Sequence, residues 1–259
     1  MRHRLLSAFL LAAAILPPAA PVVAGDLLLP LSGGVAADGT TYATRVWVTN
    51  TGASTRRLTV TFIAPGADGT RAATGPSISV GPGATTLATG LAPAGQSGLL
   101  LLSGAPQLMV SSRLEATGKD GALRAAVAAP WVSGHQLAAA GRTLQLHGMS
   151  NKQGGLITDL YLINAARQTA QCSLDAFRFD GSRIAATLHL TLPALSVRVF
   201  ERALDTLGAT NVDETRFALS CDQSFYAYAR VYKPGSGELN LMTPSPALGH
   251  QVTAAAARN

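Results

Sequence analysis

The chain has 259 residues and a formal charge of +6, with 13% charged residues, 5% aromatic residues and 26 glycines. The charged fraction is about half the usual ~25%, and Ala, Gly, Thr and Ser fill the space, which suits short strands and tight turns and disfavours amphipathic helices. The cations are mostly arginines scattered along the chain, with Arg56 and Arg57 the one adjacent pair, so the basic stripe with interleaved aromatics that a nucleic-acid surface needs is missing.

The N-terminus reads as a secretory signal over residues 1–24. Arg2, His3 and Arg4 give a basic start, Leu5 to Leu16 an apolar core, and Val22 and Ala24 the small residues before a cleavage site at Gly25. The apolar run is too short to cross roughly 30 Å of hydrocarbon, which takes about 20 residues, and nothing later in the sequence is long and apolar enough to do so. The expected product is periplasmic or extracellular, without a transmembrane segment. Two cysteines, Cys172 and Cys221, in an oxidising compartment imply one disulfide. Strand parity supports it, since Cys172 is in register with Leu174, and Cys221 with Phe217 and Leu219.

From Gly25 onward the chain repeats itself at an offset of about 114 residues. A strand ending in Asn, Arg45 to Asn50, matches Asp159 to Asn164. Leu58 to Phe62 matches Cys172 to Ala176, each followed by an Asp-Gly turn at Asp68-Gly69 and Asp180-Gly181. Ile78 to Ala84 matches His189 to Leu195, Leu108 to Glu115 matches Phe225 to Tyr232, and Gly121 to Pro130 matches Gly237 to Pro246. Apolar residues alternate within each copy and turn residues recur every eight to twelve positions, the pattern of antiparallel sheets in a sandwich. The stretch from Phe200 to Leu207 reads as a short helical turn. The expected organisation is all-β: two tandem antiparallel, immunoglobulin-like β-sandwich domains at 25–134 and 142–248, a linker at 135–141 and a flexible tail at 249–259.

With the segments Thr158 to Asn164 and Ala229 to Tyr232, the order of these landmarks resembles a tandem β-sandwich repeat of secreted bacterial proteins of unknown function. The resemblance spans nearly all of the chain after the leader and implies a fold and an exported setting, with no activity attached. In the first copy Arg45 stands where the second has Asp159. An ion pair between Asp159 and Arg230 is therefore expected in the second copy only, leaving Arg113 to turn to Glu115 or elsewhere.

No catalytic constellation emerges, and no catalytic residue, cofactor or metal ligand is assigned. Gly95-Gln96-Ser97-Gly98 lacks the spacing of a nucleophile elbow and reads as a turn. His135, His147, His189 and His250 show no metal-ligand spacing, and Asp213-Glu214 is the one adjacent carboxylate pair. The candidate ligand surface is an alternating strand. If Phe225, Ala227, Ala229 and Val231 face the core, then Tyr226, Tyr228, Arg230 and Tyr232 line the other face beside Tyr161. Such rings stack on sugars or dock partners, or else pack against the other repeat. The expected function is a non-enzymatic structural, adhesion or assembly role at the cell envelope, with an envelope polymer or a protein as partner. A carbohydrate-binding protein and a periplasmic chaperone-like accessory that pairs strands at an open sheet edge are the alternatives.

Overall fold

The computed structural model describes residues 26–31, 33–35, 39–93, 95–104, 107–152, 155–236 and 238–244. The expected leader, the whole of the expected tail and His250 lie outside these. The first half forms β1 (Leu27–Leu31), β2 (Gly34–Val35), β3 (Thr41–Asn50), β4 (Arg56–Ile63), β5 (Ser77–Val80), β6 (Thr85–Ala88), β7 (Gly98–Ser103), β8 (Leu108–Thr117) and β9 (Leu123–Ala128). The second forms β10 (Thr143–Met149), β11 (Ile157–Asn164), β12 (Ala170–Phe177), β13 (Leu188–Leu192), β14 (Ser196–Phe200), a single helical turn α1 (Ala203–Thr206), β15 (Thr215–Cys221), β16 (Phe225–Tyr232) and β17 (Leu239–Met242). The chain is all-β, built from antiparallel sheets as expected, and α1 falls inside the stretch that the sequence marked as a helical turn. No helix among the described residues is long and apolar enough to cross a membrane.

The strands make four sheets. Sheet I runs β2-β3-β8-β9 with β6 also paired to β3, and sheet II runs β1-β7-β4-β5. Sheet III runs β14-β11-β16-β17, and sheet IV runs β10-β15-β12-β13. Setting β10 on β1 and β11 to β17 on β3 to β9 superimposes the two orders, so sheet III repeats sheet I and sheet IV repeats sheet II.

Alternation of side chains along each strand separates four apolar clusters among the described residues. Val46, Val48, Leu58, Val60, Leu100 and Leu102 fill the space between sheets I and II. Leu160, Leu162, Leu174, Phe217, Leu219 and Ala227 fill that between sheets III and IV. A third cluster joins the halves: Leu28, Ile63 and Leu99 from the far face of sheet II meet Tyr161, Ile163, Val197, Tyr226 and Tyr228 from the far face of sheet III. Sheets I and II, II and III, and III and IV thus share cores, and at one end a fourth cluster, Tyr42, Leu114 and Ala116 of sheet I with Tyr232, Leu239 and Leu241 of sheet III, joins the first sheet to the third directly. Backbone bonds reinforce the middle contact, with Gly66 N–H donating to the Val197 carbonyl at 2.8 Å and Gly69 N–H to the Ala194 carbonyl at 2.9 Å. Gly69 has no room for a side chain, because a Cβ there would lie 2.2 Å from the Leu195 carbonyl oxygen.

The segment between the halves is tied down on both sides. Val132 and Leu28 exchange two backbone hydrogen bonds of 2.8 and 2.9 Å, Ala138 and Phe225 exchange two of 2.8 and 3.1 Å, and Gly141 N–H donates to the Cys221 carbonyl at 2.7 Å. Residues 135–141, the expected linker, are thus tied to the second half at Ala138 and Gly141. Their first turn, at Gly134–Gln136, is a 3-10 helix.

The asparagine that ends β3 and its counterpart in β11 staple both copies in the same way. Asn50 is fully buried; its amide donates to the Ser54 and Val80 carbonyls at 2.8 and 2.9 Å, and its Oδ1 accepts from Gly52 N–H at 2.9 Å. Asn164, equally buried, donates to the Gln168 and Pro193 carbonyls, both at 2.7 Å, and accepts from Ala166 N–H at 3.0 Å. One carboxamide thus satisfies backbone groups from the loop after its own strand and from the end of β5 or the turn after β13. Cys172 and Cys221 form the expected disulfide, directly opposite each other on β12 and β15 and facing the core of the second half. The bridge joins neighbours within sheet IV, unlike the inter-sheet bridge of antibody domains. It closes a loop of 49 residues.

Two outcomes follow for chemical denaturation of the oxidised protein. Replacing both cysteines by alanine is expected to cost about 4 kcal/mol, the chain-entropy value for a loop of this size. Asn164→Ala is expected to cost about 2 to 3 kcal/mol, since buried backbone groups lose their partner, and a loss below about 0.5 kcal/mol would contradict the staple.

Candidate functional site

The alternating strand β16 has the parity expected of it. Phe225, Ala227, Ala229 and Val231 face the core of the second half, and Tyr226, Tyr228, Arg230 and Tyr232 face the other way. Sheet II covers that outward face at Tyr161, Tyr226 and Tyr228, and Tyr42, Leu114 and Ala116 of sheet I cover it at Arg230 and Tyr232, so the five residues singled out as a ligand surface form no open face. Tyr161 is 0% exposed, Tyr228 1%, Tyr226 5% and Arg230 8%, while Tyr232 is half-buried. The physical reason is the apolar far face of sheet II, where Leu28, Ile63 and Leu99 need a partner as much as the tyrosines do. Tyr161 and Tyr228, paired across β11 and β16, stack with ring centroids 4.5 Å apart.

At one end of this face lies a buried charge pair. Asp159 and Arg230 are opposite each other in the ladder, and Oδ2 of Asp159 accepts from Nε of Arg230 at 3.0 Å and from Nη2 at 2.5 Å. The other oxygen, Oδ1, accepts from Arg202 N–H at 2.9 Å. Arg202 stands in the left-handed conformation just before α1, so the same carboxylate fixes the β14 to α1 turn. Tyr42 from the first half lies under the guanidinium, 4.5 Å from carbon to ring centroid, with Tyr232 at 4.9 Å. Burial works against the charge of Arg230, but the neighbouring Tyr161 hydroxyl and the Asp159 carboxylate hold its pKa above the usual value. Tyr42 carried no signal in its own strand that marked it as a partner for this arginine.

In the first half Arg45 and Arg113 occupy the equivalent cross-strand positions, and both turn to Glu115. Arg45 Nε lies 2.6 Å from its carboxylate, and Arg113 Nη2 bonds the other oxygen. Glu115 is buried, which alone would raise its pKa, yet the hydrogen bonds from Arg113 and Arg45 hold it below the usual carboxylate range. Arg113 also stacks over Trp47, 5.4 Å from the ring centroid.

The remaining candidates are separate. Ser97 Oγ donates to the Gly33 carbonyl at 3.0 Å and accepts from Gly33 N–H at 3.1 Å, pinning a turn. His147 and His189 are exposed on sheet IV, and His135 lies in the segment between the halves. Among the described residues no three His, Cys, Asp or Glu side chains gather into a metal-binding group. That same connecting segment borders an open groove of about 800 Å³, lined by Trp131, His135, Arg142, Tyr226 and Thr243 among others. Sequence reading passed over Trp131 and Arg142, although a tryptophan after a proline at the edge of a connector was a usable signal. No protein-family model and no curated protein sequence matches the chain.

The buried pair and the buried phenols each give a measurable outcome. Asp159→Asn and Arg230→Met are each expected to cost about 3 to 5 kcal/mol, since either leaves the other group buried and unmatched, with less loss in the double variant than in the sum of the two. Burial pushes the Tyr226 hydroxyl up to about 12, and burial aided by the Asp159 carboxylate pushes Tyr232 to about 12. The folded state thus holds these protons more tightly than the unfolded chain, whose tyrosines titrate near 10. Their contribution is intact below pH ~10 and is lost as pH rises toward about 12. Absorbance at 295 nm should show the two ionising together with unfolding; ionisation of all tyrosines near pH 10 in a folded protein would refute this.

Proposed function

We propose that the chain is an exported, non-enzymatic β-sandwich protein that serves a structural, adhesion or assembly role at the cell envelope. The observation that carries this reading is the third core. The far faces of sheets II and III are consumed in holding the two halves together, and the buried Asp159–Arg230 pair sits beneath Tyr42 of the other half. A chain that spends its most aromatic face on internal rigidity suits load-bearing or spacing better than a mobile pair of modules, whose interfaces are smaller and more polar. The disulfide is compatible with an oxidising compartment.

Fractionation of the cells that make the protein tests the reading. The product is expected in the envelope or periplasmic fraction, or outside the cell, with Gly25 at its N-terminus. A cytoplasmic product that keeps residues 1–24 would overturn it. A rigid unit also unfolds as one: urea titration should give a single transition by tryptophan fluorescence and by circular dichroism, with no early tryptic cut after Arg142. Two separate transitions would mean that the halves act independently.

A further inference from the structure

The groove beside the connecting segment has properties that an assembly role does not account for. Trp131 is 41% exposed, yet it is held rigidly, because its neighbour Val132 is tied to β1 by two backbone hydrogen bonds. An exposed indole on a fixed backbone is a stacking platform that loses little freedom when covered. Tyr226, anchored in the core between sheets II and III, lines the same groove. His135, Gln136, Arg142 and Thr243 supply polar groups around these two rings. No Asp or Glu is among the described lining residues, and Arg142, whose side chain is exposed, pairs with no carboxylate among the described residues. A groove of about 800 Å³ at the junction of two repeats is of the size and place where ligands are held.

We infer that this groove binds an acidic polysaccharide, with Trp131 stacking on the carbon-hydrogen face of a sugar ring and Arg142 pairing with a uronate carboxylate. A planar guanidinium accepts a carboxylate in two parallel hydrogen bonds, and a lining free of carboxylates imposes no repulsion on an anionic chain. A neutral glycan would use the indole but leave Arg142 idle. A neutral peptide would pack on the apolar lining of Pro130, Leu137, Leu144 and Pro244 but would leave Arg142 idle in the same way. The inference reaches beyond the envelope role, and the two fail separately: fractionation reads where the protein goes, and titration reads what the groove holds.

The test is calorimetric titration of the oxidised full-length mature protein with a galacturonic-acid tetramer, beside the neutral galactose tetramer and a proline-rich decapeptide. Two variants are compared, Trp131→Ala and Arg142→Gln, each first shown to unfold at the urea midpoint of the parent. Binding of the acidic tetramer at least tenfold tighter than the neutral one is expected. Trp131→Ala should weaken the acidic tetramer tenfold or more, and Arg142→Gln should abolish the preference for acid over neutral while leaving residual binding. The inference is overturned if the acidic tetramer does not bind, if both variants bind it as the parent does, or if only the peptide binds. Raising salt from 50 to 500 mM should weaken the parent but hardly affect Arg142→Gln; equal salt dependence of the two would remove Arg142 from the site.

Discussion

The contact between sheets II and III is the constraint on which the rest of the molecule depends. Each sheet has two apolar faces, and a sandwich uses only one of them. Left in water, Leu28, Ile63 and Leu99 on one side and the stacked Tyr161 and Tyr228 on the other would form adjoining exposed patches of the kind that soluble proteins avoid. Pressed together they remove each other from water, and the position of every other element follows. The connecting segment must run along the seam, β4 must turn through a glycine at 69 because the Leu195 carbonyl leaves no space, and Tyr42 must cover Arg230. Within this apolar seam the Asp159–Arg230 pair acts less as a source of stability than as a register mark. Buried ion pairs gain little over well-packed apolar groups but penalise every arrangement that separates them. Nη1 of Arg230 has no hydrogen-bond partner among the described residues, and the Tyr42 ring face is what the guanidinium meets there instead.

The two copies show how one scaffold accommodates opposite charge patterns. Where the second has Asp159 facing Arg230, the first has two arginines facing each other, a repulsive arrangement between directly opposed residues. Glu115 resolves it by bonding both, so that a two-residue pair becomes a three-residue clamp. Only the clamp is solvent-accessible, with both arginines about half exposed. The asparagine staples have not diverged, because their partners are backbone carbonyls and amides that any sequence provides.

Much of this was legible in the sequence. Alternating Ala and Tyr along β16 reveals which side chains share a face, since a strand has period two whatever its surroundings. The repeat offset aligns Asp159 with Arg45 and so indicates that the charge pair is confined to one copy. What alternation does not encode is what lies above the outer face. Tyrosines suited to stacking on a ligand are equally suited to packing on leucines, and the choice depends on β1, β4 and β7, which all end well before β11 and β16 along the chain. How the connector is held is hidden for a similar reason. Its small residues resemble those of a free linker, but the bonds of Ala138 to Phe225 and of Gly141 to Cys221 are made by backbone atoms, which composition does not reveal. Trp131 and Arg142 were overlooked because they flank that segment.

The stacking of sheet II on sheet III is head-to-tail, and a contact of that kind propagates indefinitely unless its free ends are made unlike its joined ones. Both ends here are. On the outer face of sheet I, Trp47 opposite Ser111 stands where sheet III has Tyr161 opposite Tyr228, and Arg45 and Arg113 flank it. On the outer face of sheet IV, Phe177 and His147 both lie opposite Arg216, where sheet II sets Ile63 and Pro30 against Leu99. Arg216 and Arg183 roof over the Phe177 ring, at 4.4 and 5.6 Å. Hydrated guanidinium groups thus act as gatekeepers at both termini of the stack, and a fibre-forming geometry is cut off at two units.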